Sequence, residues 1–195
     1  MLVPGTNLLV GGGKEGKFYL LDRGALGGFH AGSDDQIPQS FFVNQNHHIH
    51  GAPSAWTGPR GALVYVWPEV DFLRAYAFSG NRFVADAAGN VVPAAMGTAG
   101  QTQGMPGGLA TTSATSPSLV WRGRDPGAHI NQMTPRDGVP QHATDKRTFY
   151  DTTRAGPAVC SVGDHMFLSW TGTDPQSRVN VAVLGLGSVS VYGLA

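Results

Sequence analysis

Leu8-Leu9-Val10-Gly11-Gly12-Gly13-Lys14-Glu15-Gly16-Lys17-Phe18-Tyr19-Leu20-Leu21-Asp22-Arg23 holds the pattern on which the fold is decided. Two short apolar runs, residues 7–10 and 17–22, flank the glycine-rich Gly11–Gly16 connection. Each run is too short for a helix, and glycine supplies the positive φ that a tight turn needs, so the stretch predicts an antiparallel hairpin. Gly11-Gly12-Gly13-Lys14 does not complete a phosphate-loop pattern and leads into a strand rather than a helix. The aligned amides of a helix start are therefore missing, and no phosphate site is expected there.

The same short-burst pattern continues along the chain. Strand candidates follow at 40–43, 62–67, 72–78, 82–85, 119–122, 157–162, 165–171, 178–184 and 188–192, about a dozen in all. Alternation within Leu63-Val64-Tyr65-Val66-Trp67 places Leu63, Tyr65 and Trp67 on one face. Residues 68–71 read as a hairpin loop, and 94–117 as a long connection with an ordered turn at Met105-Pro106-Gly107-Gly108. Residues 124–146 are polar, proline-rich and loop-like, while Gly163-Asp164 and Gly185-Leu186-Gly187 punctuate the C-terminal strands. No segment keeps a 3.6-residue apolar period, so little helix is expected.

Composition agrees. The 195 residues include 28 Gly and 13 Pro, and charged residues are only 13% against roughly 25% in an average soluble domain. Such a chain suits short strands and tight turns, and one domain is expected over 1–195. Thirteen basic and thirteen acidic residues cancel and are scattered singly. No basic stripe is present, so a nucleic-acid partner is not expected, and no apolar run has the length of a membrane span. Cys160 is the only cysteine, which excludes an intrachain disulfide, and its strand-like setting predicts a buried structural thiol.

The opening stretch, ending in Tyr19-Leu20-Leu21-Asp22, resembles the repeat of quinoprotein-like (PQQ-type) β-propellers. The likeness continues through His48-Ile49-His50-Gly51-Ala52-Pro53-Ser54-Ala55-Trp56, Val64-Tyr65-Val66-Trp67, Leu73-Arg74-Ala75-Tyr76 and Met105-Pro106-Gly107-Gly108. Gly156-Pro157-Ala158-Val159 and Met166-Phe167-Leu168-Ser169-Trp170-Thr171-Gly172-Thr173-Asp174 are similar to repeats of sialidase-like and lectin-like propellers, without a sialidase Asp-box. The resemblance implies an all-β chain of propeller-type repeats. At roughly 40–50 residues per blade the chain holds about four blades, a small, partial or half propeller. Quinoprotein-like repeats span 1–122, a loop-rich connection 123–155, and C-terminal strands 156–195. The turn-bounded strands taken alone would equally suit a sandwich. The resemblance further implies a secreted or periplasmic setting, although the first residues lack the charged and apolar regions of a signal peptide. A half propeller leaves sheet faces to be covered, so a homo-oligomer is expected. The cofactor-binding quinoproteins place a vicinal cysteine pair over the quinone; one cysteine cannot form it, and bound PQQ is not expected.

Candidate chemistry concentrates in Asn44-Gln45-Asn46-His47-His48-Ile49-His50. In extended backbone, His48 and His50 share a face and His47 points away. A His-x-His pair can chelate Zn2+ or Cu2+ through neutral ring nitrogens. His47, His48 and His50 are the metal candidates, with a third ligand to come from His30, His129, His142, Asp34 or Asp35. The alternative for these residues is hydrogen bonding to backbone in a blade connection. No Gly-x-Ser-x-Gly elbow is present. Asp34, Asp35, Glu69, Asp71, Asp164 and Asp174 supply loop carboxylates, but no pair stands out for glycoside hydrolysis. Tryptophans at 56, 67, 121 and 170 fall about one to a blade. Trp56, Trp67 and Trp170, with Arg178, are the ligand-binding candidates, indole faces stacking on sugar; blade packing is the competing role. The expected function is a propeller-type module binding a carbohydrate or protein ligand through loops at one end of the blades. The alternative is a secreted oxidoreductase or glycan-active hydrolase using the His-x-His site or loop carboxylates.

Overall fold

The computed structural model describes residues 1–97, 109–112, 117–140, 146–162, 165–184 and 189–193. The turns expected at 105–108, 163–164 and 185–187, and the ligand candidate His142, lie outside them. The described residues form sixteen strands in four antiparallel sheets, with a single 3-10 turn at Arg136–Gly138. No helix among them is long and apolar enough to cross a membrane.

The first sheet comprises β1 (Leu8–Gly12), β2 (Lys17–Asp22) and β3 (Gln39–Phe42). A bridge from Leu2 to Leu9 adds the opening residues alongside β1, Val3 N donating to Leu8 O at 2.9 Å. β4 (Ser54–Gly58), β5 (Gly61–Val66), β6 (Arg74–Ser79) and β7 (Arg82–Phe83) make the second, with β8 (Ala95–Met96) also on β6. β9 (Leu109–Thr112), β10 (Pro117–Arg122), β11 (His129–Met133) and β12 (Arg147–Thr152) form the third. β13 (Ala158–Val162), β14 (His165–Thr171), β15 (Val179–Leu184) and β16 (Val189–Gly193) form the fourth. Each is a meander in chain order, as in a propeller blade.

The two-residue period explains why the sheets stack. On β5, Val64 packs toward the first sheet with Val10, Phe18 and Leu20, while Leu63 and Tyr65 pack toward the third with Leu119 and Trp121. On β10, Leu119 and Trp121 face the second sheet, and Val120 faces the fourth with Leu168, Trp170 and Ala182. Central blades thus bury both faces against neighbours, and outer blades bury one. Full burial of a side chain such as Leu119 contributes about 1.5–3 kcal/mol. The first strands of successive sheets converge: β9 lies beside both β4 and β13. That convergence on one axis separates a propeller sector from a two-sheet sandwich.

Several elements differ from the sequence expectation. Residues 124–146 and the stretch before β10 were expected as loop, yet they contain β11 and the short β8 and β9; β12 lies within 123–155 as well. β4 (Ser-Ala-Trp-Thr-Gly) and β11 (His-Ile-Asn-Gln-Met) carry too few apolar residues to show a run. Their pairing is set by the neighbouring strand's backbone and by few anchors, Trp56 in β4 and Ile130 and Met133 in β11. Cys160 is exposed rather than buried. It falls on the side of β13 opposite Val159, which packs toward the third sheet.

Candidate functional site: the loop end of the blades

Meander topology gathers two kinds of connection at one end of the stack: the loops joining each second strand to the third, and the crossings from one sheet to the next. The hydrogen bonds record it. In the crossing from β3 to β4, Ile49 N donates to Gly13 O (3.1 Å) in the first blade's loop, and Glu69 N of the second blade's loop donates to His48 O (2.9 Å). Ile49 is buried in the core between the first two sheets, which turns His48 and His50 to the other side. Gly12 permits this docking, because a Cβ there would lie 2.8 Å from Ile49 Cδ1 and 2.9 Å from Lys17 O.

His48 Nδ1 lies 3.0 Å from Glu69 Oε1, and His50 Nε2 lies 3.2 Å from Glu69 Oε2. The imidazole centroids are 5.4 Å apart. His50 and Glu69 are largely enclosed, whereas His48 is 44% exposed. One donor atom from each of the three residues falls within 4.8 Å of the others, the arrangement a metal ion requires. The sequence pairing of His48 with His50 is realised, but His47 stands outside the group. The third residue is Glu69, which sequence reasoning placed among loop carboxylates and not among ligands; the strand pairing that brings its loop to the crossing is not visible in local spacing.

Asp71 holds the Glu69 loop from below. Its carboxylate accepts from Asn44 Nδ2 (2.8 Å), Arg74 Nε (3.0 Å) and its neighbour's amide, Phe72 N (2.7 Å). Trp67 Nε1 donates to Asp71 O at 3.0 Å. Charge-assisted bonds from three directions fix the loop rather than leave it adaptable.

Beyond Glu69 the loop contributes Phe72 to a cleft of about 670 Å3, which also takes Trp121, Arg124, Asp125, His129 and Lys146 from the third blade. Lys146 Nζ sits over the Trp121 ring, 5.8 Å from its centroid. The His129 ring is hydrogen-bonded to Asp125. Desolvation pushes the Asp125 carboxyl up, but the hydrogen bonds from the His129 ring and backbone outweigh it and leave it below the usual carboxylate range. A wider cleft of about 1330 Å3 runs along the flank of the first sheet, walled by Lys17, Tyr19, Phe29 and Phe42. Lys17 and Ser40 both hydrogen-bond Asp34 there, holding its carboxyl low. Asp34 is thus engaged away from the histidine pair; Asp35, His30 and His129 also stand outside the three-residue group.

The loop of the third blade has a counterpart that sequence reading missed. Trp121-Arg-Gly123-Arg-Asp125-Pro126-Gly-Ala-His-Ile130-Asn131 and Trp170-Thr-Gly172-Thr-Asp174-Pro175-Gln-Ser-Arg-Val179-Asn180 share Trp, Gly, Asp-Pro and Asn at identical spacing. Their bonds match: Gly123 N to His129 O at 2.7 Å and Gly172 N to Arg178 O at 2.8 Å. Asn131 and Asn180 each donate from Nδ2 to those same carbonyls at 3.2 Å. Ala128 and Ser177 carry the same positive φ, 54° and 52°. Arg178 therefore serves the turn through its backbone, with its side chain exposed.

The indoles lie between sheets. Trp56, Trp67, Trp121 and Trp170 are 7%, 3%, 3% and 5% exposed, all within the inter-blade cores, and Trp67 meets Trp121 at 5.0 Å. Trp56, Trp67 and Trp170 thus occupy the packing role named against sugar stacking.

No family model matches the chain, and no curated protein matches it. Among solved structures, the chain is similar to BamB from Moraxella catarrhalis, with a TM-score of 0.55 at 13% sequence identity. The likeness takes in 98% of this chain and 47% of BamB, so the chain spans about half the length of that structure. At this identity the likeness speaks for architecture alone: the chain has an all-β fold of propeller-type repeats.

Proposed function

We propose that the chain is a propeller-type binding module that docks a protein partner, as an extended peptide segment, at the loop end between the second and third blades. The observation that carries this reading is the cleft of about 670 Å3 with Phe72 on its wall, the buried Trp121 beneath it and a mixed-charge rim of Arg124, Asp125 and Lys146. Its size falls in the range of roughly 300–1,000 Å3 typical of ligand pockets. Loops on a rigid sheet scaffold are where binding residues concentrate. A peptide fits better than a glycan, because the buried indoles leave no broad face for a sugar ring.

Panning a displayed random-peptide library on the purified chain tests this. Recovered peptides should share an apolar anchor beside a charged residue, and should lose binding to a Phe72→Ala/Lys146→Glu variant while still binding an Arg82→Ala variant on the flank. Peptides that ignore the loop-end variant, or glycan-array binding in place of peptide binding, would contradict the proposal.

Self-association belongs to the same reading. Cys160, Phe167 and Val183 lie across from one another on β13, β14 and β15, on the side of the fourth sheet away from the third, with Val162 and Val179 66% and 51% exposed at its margins. An apolar sheet face of this kind is covered in a stable particle. A second copy of the chain is the proposed cover, and light scattering should give a dimer; a compact monomer would count against it.

A further inference from the structure

We propose that His48, His50 and Glu69 form a zinc site that fastens the crossing between the first two blades to the second blade's loop and leaves a coordination position open to solvent. The ligand chemistry is that of zinc: two neutral imidazoles and one carboxylate, the mixed N/O set that a borderline cation takes in four-coordinate sites. The donor atoms are already gathered within 4.8 Å of one another. His48 offers Nδ1 and His50 offers Nε2 to opposite oxygens of a single carboxylate, at 3.0 and 3.2 Å.

The surroundings are built to hold that set in place. The Glu69 amide donates to the His48 carbonyl at 2.9 Å, so ligand-bearing backbone is joined directly to ligand-bearing backbone. Ile49, between the two histidines, is anchored in the core, and Asp71, two residues beyond Glu69, is 6% exposed and bonded to Asn44 and Arg74. A cation entering the site therefore meets ligands that have little conformational freedom left to lose. His50 and Glu69 are largely covered while His48 stands at the surface, so the open position is on the solvent side. Three protein ligands with one position free is the pattern in which zinc accepts water or an outside donor. The inference does not depend on peptide binding at the neighbouring cleft.

The test uses the full chain with its purification tag removed, stripped with chelator and titrated with ZnCl2 against a chromophoric zinc indicator. One zinc per chain is expected. His50→Ala and Glu69→Gln should each weaken binding by at least about tenfold, the lower end of what zinc sites show even for outer-shell changes; His47→Ala should not. X-ray absorption of the loaded protein should give two imidazoles and further N/O ligands at about 2.0–2.1 Å, with no sulfur. If His50→Ala does not fold, the surface variant His48→Gln carries the same expectation. Absence of stoichiometric zinc in the wild type, or equal affinity in Glu69→Gln and wild type, would overturn the assignment. Running the peptide assay with and without chelator separates the two proposals: zinc bound without any peptide sinks only the docking reading, and peptide bound without any zinc sinks only this one.

Discussion

The first two blades and the last two place their strands alike but hold their loops differently. In the third and fourth blades the loop after the second strand is closed by a repeated turn, in addition to bonds from the crossing between them, Thr153 N to Ala128 O and Arg154 N to Thr171 O. Asn131 and Asn180 cap carbonyls within their own turns, and Gly123 and Gly172 each admit a carboxylate and an amide where a Cβ would lie 2.2 or 2.5 Å from an aspartate oxygen. In the first two blades the loops lean on the crossing between them: Gly13 on Ile49, Glu69 on His48, Asp71 on Asn44. A self-closed turn can be repeated from blade to blade, which is how one motif serves twice. The loops of the first two blades share no such turn, and beside their crossing His48, His50 and Glu69 are brought together.

The largest effects should fall where the halves agree. Trp121→Ala and Trp170→Ala should each cost about 3–5 kcal/mol in denaturant unfolding, since both indoles fill inter-blade cores. A stable Trp170→Ala chain would instead free that residue for a ligand role. Next, Asp71→Ala should cost about 2–3 kcal/mol, because it leaves Arg74 and Asn44 without their buried acceptor. It should also loosen the Glu69 loop, visible as faster amide exchange at Glu69. Asn131→Ala and Asn180→Ala should cost about 1 kcal/mol each, and additively, because the two side chains hydrogen-bond to no common residue. Strong coupling between them would show that the shared crossing at Thr153 and Arg154 ties the two turns together.

The smallest effect is one of pH. Lys17 and Ser40 hold the folded Asp34 carboxyl below its unfolded range. Its contribution is therefore present above the ordinary carboxylate pKa of about 4 and is lost as pH falls through the folded value. Asp34→Asn should lower the neutral plateau slightly, flatten the acid limb of the stability curve and meet the wild type at low pH. A variant with an unaltered acid limb would show that Asp34 is not engaged in solution.

How much could be read in advance followed from where information lies in the chain. Strands buried on both faces announce themselves: Leu63 to Trp67 alternates and packs as its pattern predicts. The glycine hairpin after β1 is equally plain. Strands such as β4 and β11 were hidden because one or two anchoring residues among polar or small neighbours leave no periodicity. The pairing of His48 with His50 follows from extended backbone, whereas Glu69 joins them only through the packing of two blades. The repeated Trp-x-Gly-x-Asp-Pro turn was present in the letters but needed the matching hydrogen bonds to be seen as one device.

Docking of a partner at the loop end between the second and third blades, as proposed, can be measured on the chain itself. Hydrogen–deuterium exchange of the chain with a selected peptide addresses it most directly. The account predicts new protection at residues 67–73, 123–129 and 146–148 and no change in the flank loop at 23–38. Protection confined to that flank, with the loop end unaltered, would contradict it.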